Sequence, residues 1–225
     1  MPRIAMLLSG CGNLDGSEIH ESVSALIAID MKGWDVVFTA PDVLQLRTVS
    51  HLNREDIPSR NAMEESARIA RGPVEPVNLE LLNSIDAVVI PGGLGAALTL
   101  CDFAIKGEHC HVNPEVDQFL KSAHRRKIPI GAMCIAPVLM ARIVKGASVT
   151  IGTDPGTAEK IEKMGGVHVE CPVEQAHVDT KNRIVTTPAY MSASGPAQVL
   201  KGAVSMIEAL EKLIDQTQNN VSESP

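Results

Sequence analysis

Residues 127–138 read "KIPIGAMCIAPV": an apolar run that stops at Cys134, three residues ahead of Pro137. A short continuous apolar run beside turn residues suits a strand buried on both faces. Proline is favoured at the first position of a helix. The stretch is therefore expected to pass from strand to helix with Cys134 at the elbow between them. Two uses fit a cysteine there. It can be a small apolar plug beneath the helix. It can also be a nucleophile, exposed by the sharp turn and given a lowered pKa by the helix N-terminus.

Outward from this elbow, the same alternation repeats. "RIAMLLS" (3–9), "WDVVFTA" (34–40), "IDAVVIPGG" (85–93), "ASVTIGT" (147–153) and "RIVTTPA" (183–189) read as strands, with "VHVECPV" (167–173) a shorter one. Segments of helical period lie between them: 17–33, 61–70, 114–125, 137–144, 157–164 and 195–213. In the first, Ile19, Val23, Leu26 and Ile27 form an apolar stripe, and Gly33 supplies a stop. "AHVDTKNRIVTT" (176–187) reads as a hairpin around Thr180-Lys181-Asn182. Strands alternating with helices indicate a doubly wound α/β sandwich with a mostly parallel central sheet and helices on both faces. One such domain is expected over residues 1–215, with the polar tail "QTQNNVSESP" (216–225) disordered. Sites in this architecture lie at the carboxyl ends of the strands.

Composition narrows the function classes. A net charge of −7 argues against a nucleic-acid partner, and 2% aromatic residues leave almost no platform for stacking bases. No apolar run nears the ~20 residues that cross a bilayer, so no membrane partner is expected. The five cysteines, Cys11, Cys101, Cys110, Cys134 and Cys171, are odd in number and form no close CxxC pair. Free thiols in a reducing compartment, and a cytoplasmic protein, are the expectation.

Besides the elbow, two strand ends carry candidate chemistry. In "SGCGNLDGSEIHE" (9–21), Asp15 and Glu18 have capping-box spacing, with Ser17 an alternative cap. Glu18 and Glu21 lie one turn apart on one helix flank. Taken alone, a solvated, capped helix start accounts for both carboxylates better than a site does. "PGGLGAA" (91–97) is a Gly-rich turn after a buried strand, able to aim backbone N–H groups at an anion or simply to turn tightly. It lacks the third glycine of a dinucleotide fingerprint, so no nucleotide cofactor is expected. "EHCH" (108–111) looks like metal ligands, but adjacent residues converge poorly on one ion and no second pair has ligand spacing, so no metal is expected. His177 could reach a site from the hairpin or stand on the surface. Arg68 and Arg71 of "ARIARG" could hold an anion or cover a helix end.

Taken together, the motifs "SGCG", "DGSEIHE", "ARIARG", "PGGLGAA", "MCIAP", "TIGTD" and "VTTPAYM" resemble the class I glutamine-amidotransferase-like superfamily, its PfpI branch, and within it the ElbB family of lycopene-enhancing or isoprenoid-biosynthesis proteins. The resemblance runs from the first strand to about Leu213 and implies a flavodoxin-like fold. It also implies that Cys134 is the elbow nucleophile and Glu21 the carboxyl hydrogen-bonded to it, with Glu18 in reserve. Gly93, after Gly92, would form the oxyanion turn with the backbone N–H of Ile135. ElbB-like proteins are similar to glutathione-independent glyoxalases, which convert glyoxal or methylglyoxal to a hydroxy acid, so the resemblance implies a small carbonyl substrate. No cofactor is expected; superfamily members are commonly dimers, so a homodimer is expected. Peptidase members place His directly after the cysteine, and true amidotransferases carry a late His–Glu pair. Ile135 and "TTPAY" stand at those places here, so amide hydrolysis lacks its general base. Aldehyde addition needs no amine leaving group. A Cys–Glu pair serves equally to stabilise an oxidised thiol, which leaves a redox sensor or chaperone-like protein as the alternative.

Overall fold

A computed structural model describes residues 1–222. Seven strands form the main sheet: β1 (Arg3–Leu7), β2 (Asp35–Ala40), β3 (Glu75–Pro76), β4 (Ala87–Ile90), β5 (Ile130–Met133), β8 (His177–Asp179) and β9 (Ile184–Thr187). Their order is β3-β2-β1-β4-β5-β9-β8, parallel throughout except for the antiparallel edge pair β8–β9. The chain winds outward from β1 through β2 to β3, then returns to β4 on the other side of β1. That reversal opens a crevice at the carboxyl ends of β1 and β4.

Side-chain alternation on each strand builds a core on either side. Leu7, Val88, Ile90, Ile130 and Ala132 face one layer, where they pack with Phe119, Leu120 and Leu139 of helices α5 (Pro114–Arg125) and α6 (Pro137–Ile143). Ile4, Met6, Leu8, Val89 and Met133 face the other, against α1 (Ile19–Asp30) and α8 (Pro196–Ser222). The fold class is the doubly wound flavodoxin-like sandwich that the strand–helix alternation indicates. Helices α2 (Ala62–Ala70), α3 (Leu94–Leu98), α4 (Phe103–Lys106) and α7 (Pro155–Lys163) complete the shell.

Three expectations need correction. The "ASVTIGT" and "VHVECPV" runs contribute only β6 (Ser148–Val149) and β7 (Val167–His168), which pair in a separate two-stranded sheet. The apolar stripe of α1 points outward: Ile19, Val23 and Ile27 are each more than 40% exposed, whereas Ser22, Ala25 and Ala28 are buried. Helix α1 lies against α8, and small side chains permit that close approach, so hydropathy alone picks the wrong face. Finally, residues 216–222 continue α8 instead of forming a loose tail, and 223–225 lie outside the described residues. Adding turns to a helix already nucleated by packing is inexpensive even for Gln and Asn. The Arg183 guanidinium, bonded to Leu213 O and Thr217 Oγ1, ties that end to the body.

Candidate active site

Cys134 directly follows β5 with φ 58°, a left-handed backbone that few side chains other than glycine adopt. Its N–H donates to Thr187 O at 3.0 Å, and Ala136 N–H closes the turn onto Met133 O at 2.9 Å. The elbow read from "MCIAP" is thus present, with Pro137 opening α6.

Glu21 reaches the elbow from the first turn of α1. Its side chain is fully buried. Oε2 accepts the Gly92 N–H at 2.8 Å, Oε1 accepts the Tyr190 N–H at 3.2 Å, and the carboxyl hydrogen-bonds the Cys134 thiol. Burial raises its pKa from 4.5 to about 7, an effect the three hydrogen bonds oppose. Cys134 is buried as well, and its thiol is pushed up, first by burial and then by the Glu21 charge; the Gly93 and Ile135 N–H groups pull the other way. The expected low-pKa, exposed thiol is therefore not what the fold builds, because a helix start cannot offset burial beside a carboxylate. Near neutrality Cys134 keeps its proton while Glu21 is partly protonated, and a state with both ionised is strongly disfavoured.

The glycines next to them exist for close backbone approach. Loop 8–18 is zipped to the turn after β4 by Glu18 N–H to Gly92 O (2.9 Å), Leu94 N–H to Asn13 O (2.8 Å) and Gly95 N–H to Gly16 O (2.9 Å). A Cβ on Gly93 would sit 2.4 Å from Gly16 O. On Gly92 it would sit 2.5 Å from Cys134 Cβ and 2.7 Å from Glu21 Oε2. Gly92→Ala is accordingly expected to destabilise by about 1–3 kcal/mol through overpacking and to split the Cys–Glu pair. Thermal melting together with Cys134 alkylation rates checks this; an unshifted melt would refute it.

The other predicted positions separate into members and bystanders. The N–H groups of Gly93 and Ile135 lie beside the Cys134 sulfur, where they favour its charged form. The Gly92 N–H is committed to Glu21, so Gly92 holds the carboxyl and does not contact a substrate oxygen. Glu18 is the N-cap of α1, its Oε2 accepting from Glu21 N–H at 2.7 Å, while also lining the cleft. Asp15 and Ser17 are not caps: they accept from Val49 N–H and Ser9 N–H. His177 bonds Ser148 Oγ at 2.8 Å and is absent from the cleft. Arg68 pairs with Glu65, and Arg71 ends α2 in a left-handed turn. Among the described residues no cluster suited to a metal is found; in "EHCH" the Cys110 thiol faces Met164, and His111 N–H bonds Asp102.

A cleft of about 570 Å³ opens over the thiol, walled by Leu94, Ile135 and Met191 on the apolar side and by Asn13, Glu18 and His20 on the polar side. Sequence reasoning missed His20 and Tyr190. Tyr190 lies in the 3-10 turn Ala189–Met191 after β9, where Ala189 has φ 44°. Its hydroxyl is 2.7 Å from His20 Nδ1. Two signals could have located them: His20 adjoins Glu21, and Tyr190 closely follows the strand that pairs with β5.

A cysteine elbow after a central parallel strand, a buried glutamate from the first helix and a zipped glycine turn make up the site of a class I glutamine-amidotransferase-like protein. No family profile matches the chain. It is 42% identical over 224 residues to "ES1 protein homolog, mitochondrial" of Rattus norvegicus, covering 94% of this chain and 84% of that protein. The human "Glutamine amidotransferase-like class 1 domain-containing protein 3, mitochondrial" is 42% identical over 223 residues, with 94% and 83% covered. The chain belongs to this ES1 family of glutamine amidotransferase-like class 1 proteins. A crystal structure of an isoprenoid biosynthesis protein with an amidotransferase-like domain from Ehrlichia chaffeensis superposes with TM-score 0.84 at 34% identity, covering 93% of this chain and 99% of that one. The ElbB-type likeness survives as that neighbour, while the family itself is ES1. The cytoplasmic expectation is overturned: the rat and human relatives, and a 33% identical one from Danio rerio, are all named as mitochondrial. Free thiols indicate a reducing environment, and they do not distinguish one such compartment from another.

Proposed function

We propose that this protein is a glutathione-independent glyoxalase-type enzyme that converts glyoxal or methylglyoxal to the hydroxy acid, and that it works in mitochondria as its relatives' names state. The observation that carries the reading is the wholly buried Glu21 carboxyl set beside the Cys134 thiol, with its pKa raised to about 7. Glu21 takes the thiol proton as sulfur bonds to the aldehyde carbon. The new oxyanion meets the N–H groups of Gly93 and Ile135 and then takes that proton. Glu21 next removes the hydrogen from the same carbon and delivers it to the neighbouring one through an enediol, leaving a thioester on Cys134. A carboxyl titrating near the working pH suits both taking and returning a proton. Hydrolysis of the thioester releases the acid. The link to isoprenoid metabolism comes from the Ehrlichia relative's name and has no residue of this chain behind it.

Lactate release from methylglyoxal without glutathione tests the proposal; a wild-type protein that forms none at neutral pH would end it. The same Glu21–Cys134 contact favours a second reading, a redox sensor in which the protonated carboxyl bonds a sulfinate. Two oxygens added at Cys134 alone under mild peroxide, with no lactate formed, would select that reading.

A further inference from the structure

We infer that His20 is a second acid–base group of the cleft, oriented by Tyr190, and that it activates the water that frees the acyl group from Cys134. The inference rests on the glyoxalase reading and supplies the step that Glu21 is badly placed to perform. Glu21 has no exposed surface, and both of its oxygens are engaged by backbone N–H groups. It can exchange a proton with the sulfur and the adjoining carbon, but incoming water does not reach it.

His20 has the opposite situation. It is exposed on the first turn of α1 and lines the cleft that holds Cys134. Its Nδ1 lies 2.7 Å from Tyr190 Oη, and the two rings stand 5.8 Å apart at 46°. Among the described residues none hydrogen-bonds Nε2. A phenol can accept as well as donate. With Nδ1–H donated to Tyr190, Nε2 carries the free lone pair of a base. The turn that supplies this hydroxyl also donates the Tyr190 N–H to Glu21, so one strained segment orients both the buried carboxyl and the open imidazole. An exposed histidine with no chemical task needs no such anchor. Tyr190 is then a positioning residue and His20 a catalytic one.

The step balances without any co-reactant except water. Water gives one proton to Nε2 as its oxygen bonds to the thioester carbon, and the resulting oxyanion faces Gly93 and Ile135. Collapse breaks the carbon–sulfur bond, with the electron pair leaving on Cys134. The proton on Nε2 passes through cleft water back to sulfur, and the product acid ionises into solvent.

The test follows methylglyoxal, without glutathione, by lactate assay and by intact mass of the protein. His20→Ala and His20→Gln are expected to form the Cys134 adduct at the wild-type rate while lactate release falls about 10²–10⁴-fold, the usual contribution of a general base. Added imidazole should restore part of the release in His20→Ala, which a purely structural role would not allow. Tyr190→Phe should lie between wild type and His20→Ala. Undiminished release by His20→Ala overturns the inference, and so does failure of that variant to form the adduct. Absence of lactate from the wild-type protein would instead overturn the glyoxalase reading beneath it.

Discussion

Cys134→Ala is expected to reduce lactate formation from methylglyoxal to the background rate, with Glu21→Gln lower than wild type by about 10²–10⁴-fold. The two losses have different origins. Without the sulfur no covalent adduct forms, so the alanine variant keeps its cleft but has no chemistry. In the glutamine variant the thiol remains, yet its proton has no acceptor, and the buried amide cannot shuttle hydrogen between adjacent carbons. The amide also turns an N–H toward either Gly92 N–H or Tyr190 N–H, so some loosening of the turn accompanies the loss. Glu18→Gln provides the contrast. Its side-chain oxygen still caps Glu21 N–H, and its expected activity stays within about tenfold of wild type, since capping survives an Asn- or Gln-type oxygen. A Glu18→Gln loss as deep as that of Glu21→Gln would transfer the shuttle to Glu18.

The second large effect is on folding. Glu21 titrates at about 7 in the folded chain against an ordinary 4.5, because burial disfavours its charged form. Between those values the folded state binds more protons than the unfolded one, so this group's stabilisation is complete below about 4.5 and is lost as pH rises through about 7. At about 1.4 kcal/mol per unit the loss is about 3 kcal/mol, undiminished by solvent at a fully buried side chain. Other carboxyls act in the opposite direction; Asp154, held down by its hydrogen bonds to Thr157, gains stability with rising pH. The informative quantity is therefore the difference between wild type and Glu21→Gln. Denaturant midpoints at pH 5 and pH 8 should show the wild type losing about 3 kcal/mol relative to the variant, and parallel pH profiles would refute the shift.

These effects trace to residues of unequal legibility. Cys134 could be found because it sits where an apolar run ends; Glu21 was singled out only by the family resemblance, since a capped helix start accounted for its place in the sequence. The central strands were legible from the same kind of apolar run. Helix α1 was not, since its buried face carries Glu21, Ser22 and Ala25 while Ile19, Val23 and Ile27 look outward. Strands β6 and β7 have the composition of core strands, but pairing partners are a tertiary matter. The thiol's burial could not be read from the elbow motif, which specifies a turn and not what covers it. His20 and Tyr190 stand 170 positions apart and meet only because β9 pairs beside β5.

The left-handed backbone at Cys134 bears on how such a chain can change over generations. Holding an L-residue with a Cβ in that conformation costs roughly 1–2 kcal/mol, and glycine escapes the cost. For folding alone, replacement of Cys134 by glycine relieves that cost but gives up a buried side chain of the core and adds glycine's own entropic cost. A lineage released from any need for the thiol would therefore gain little stability by discarding it. Cysteine at this turn can outlast its chemistry, because packing alone offsets the strain.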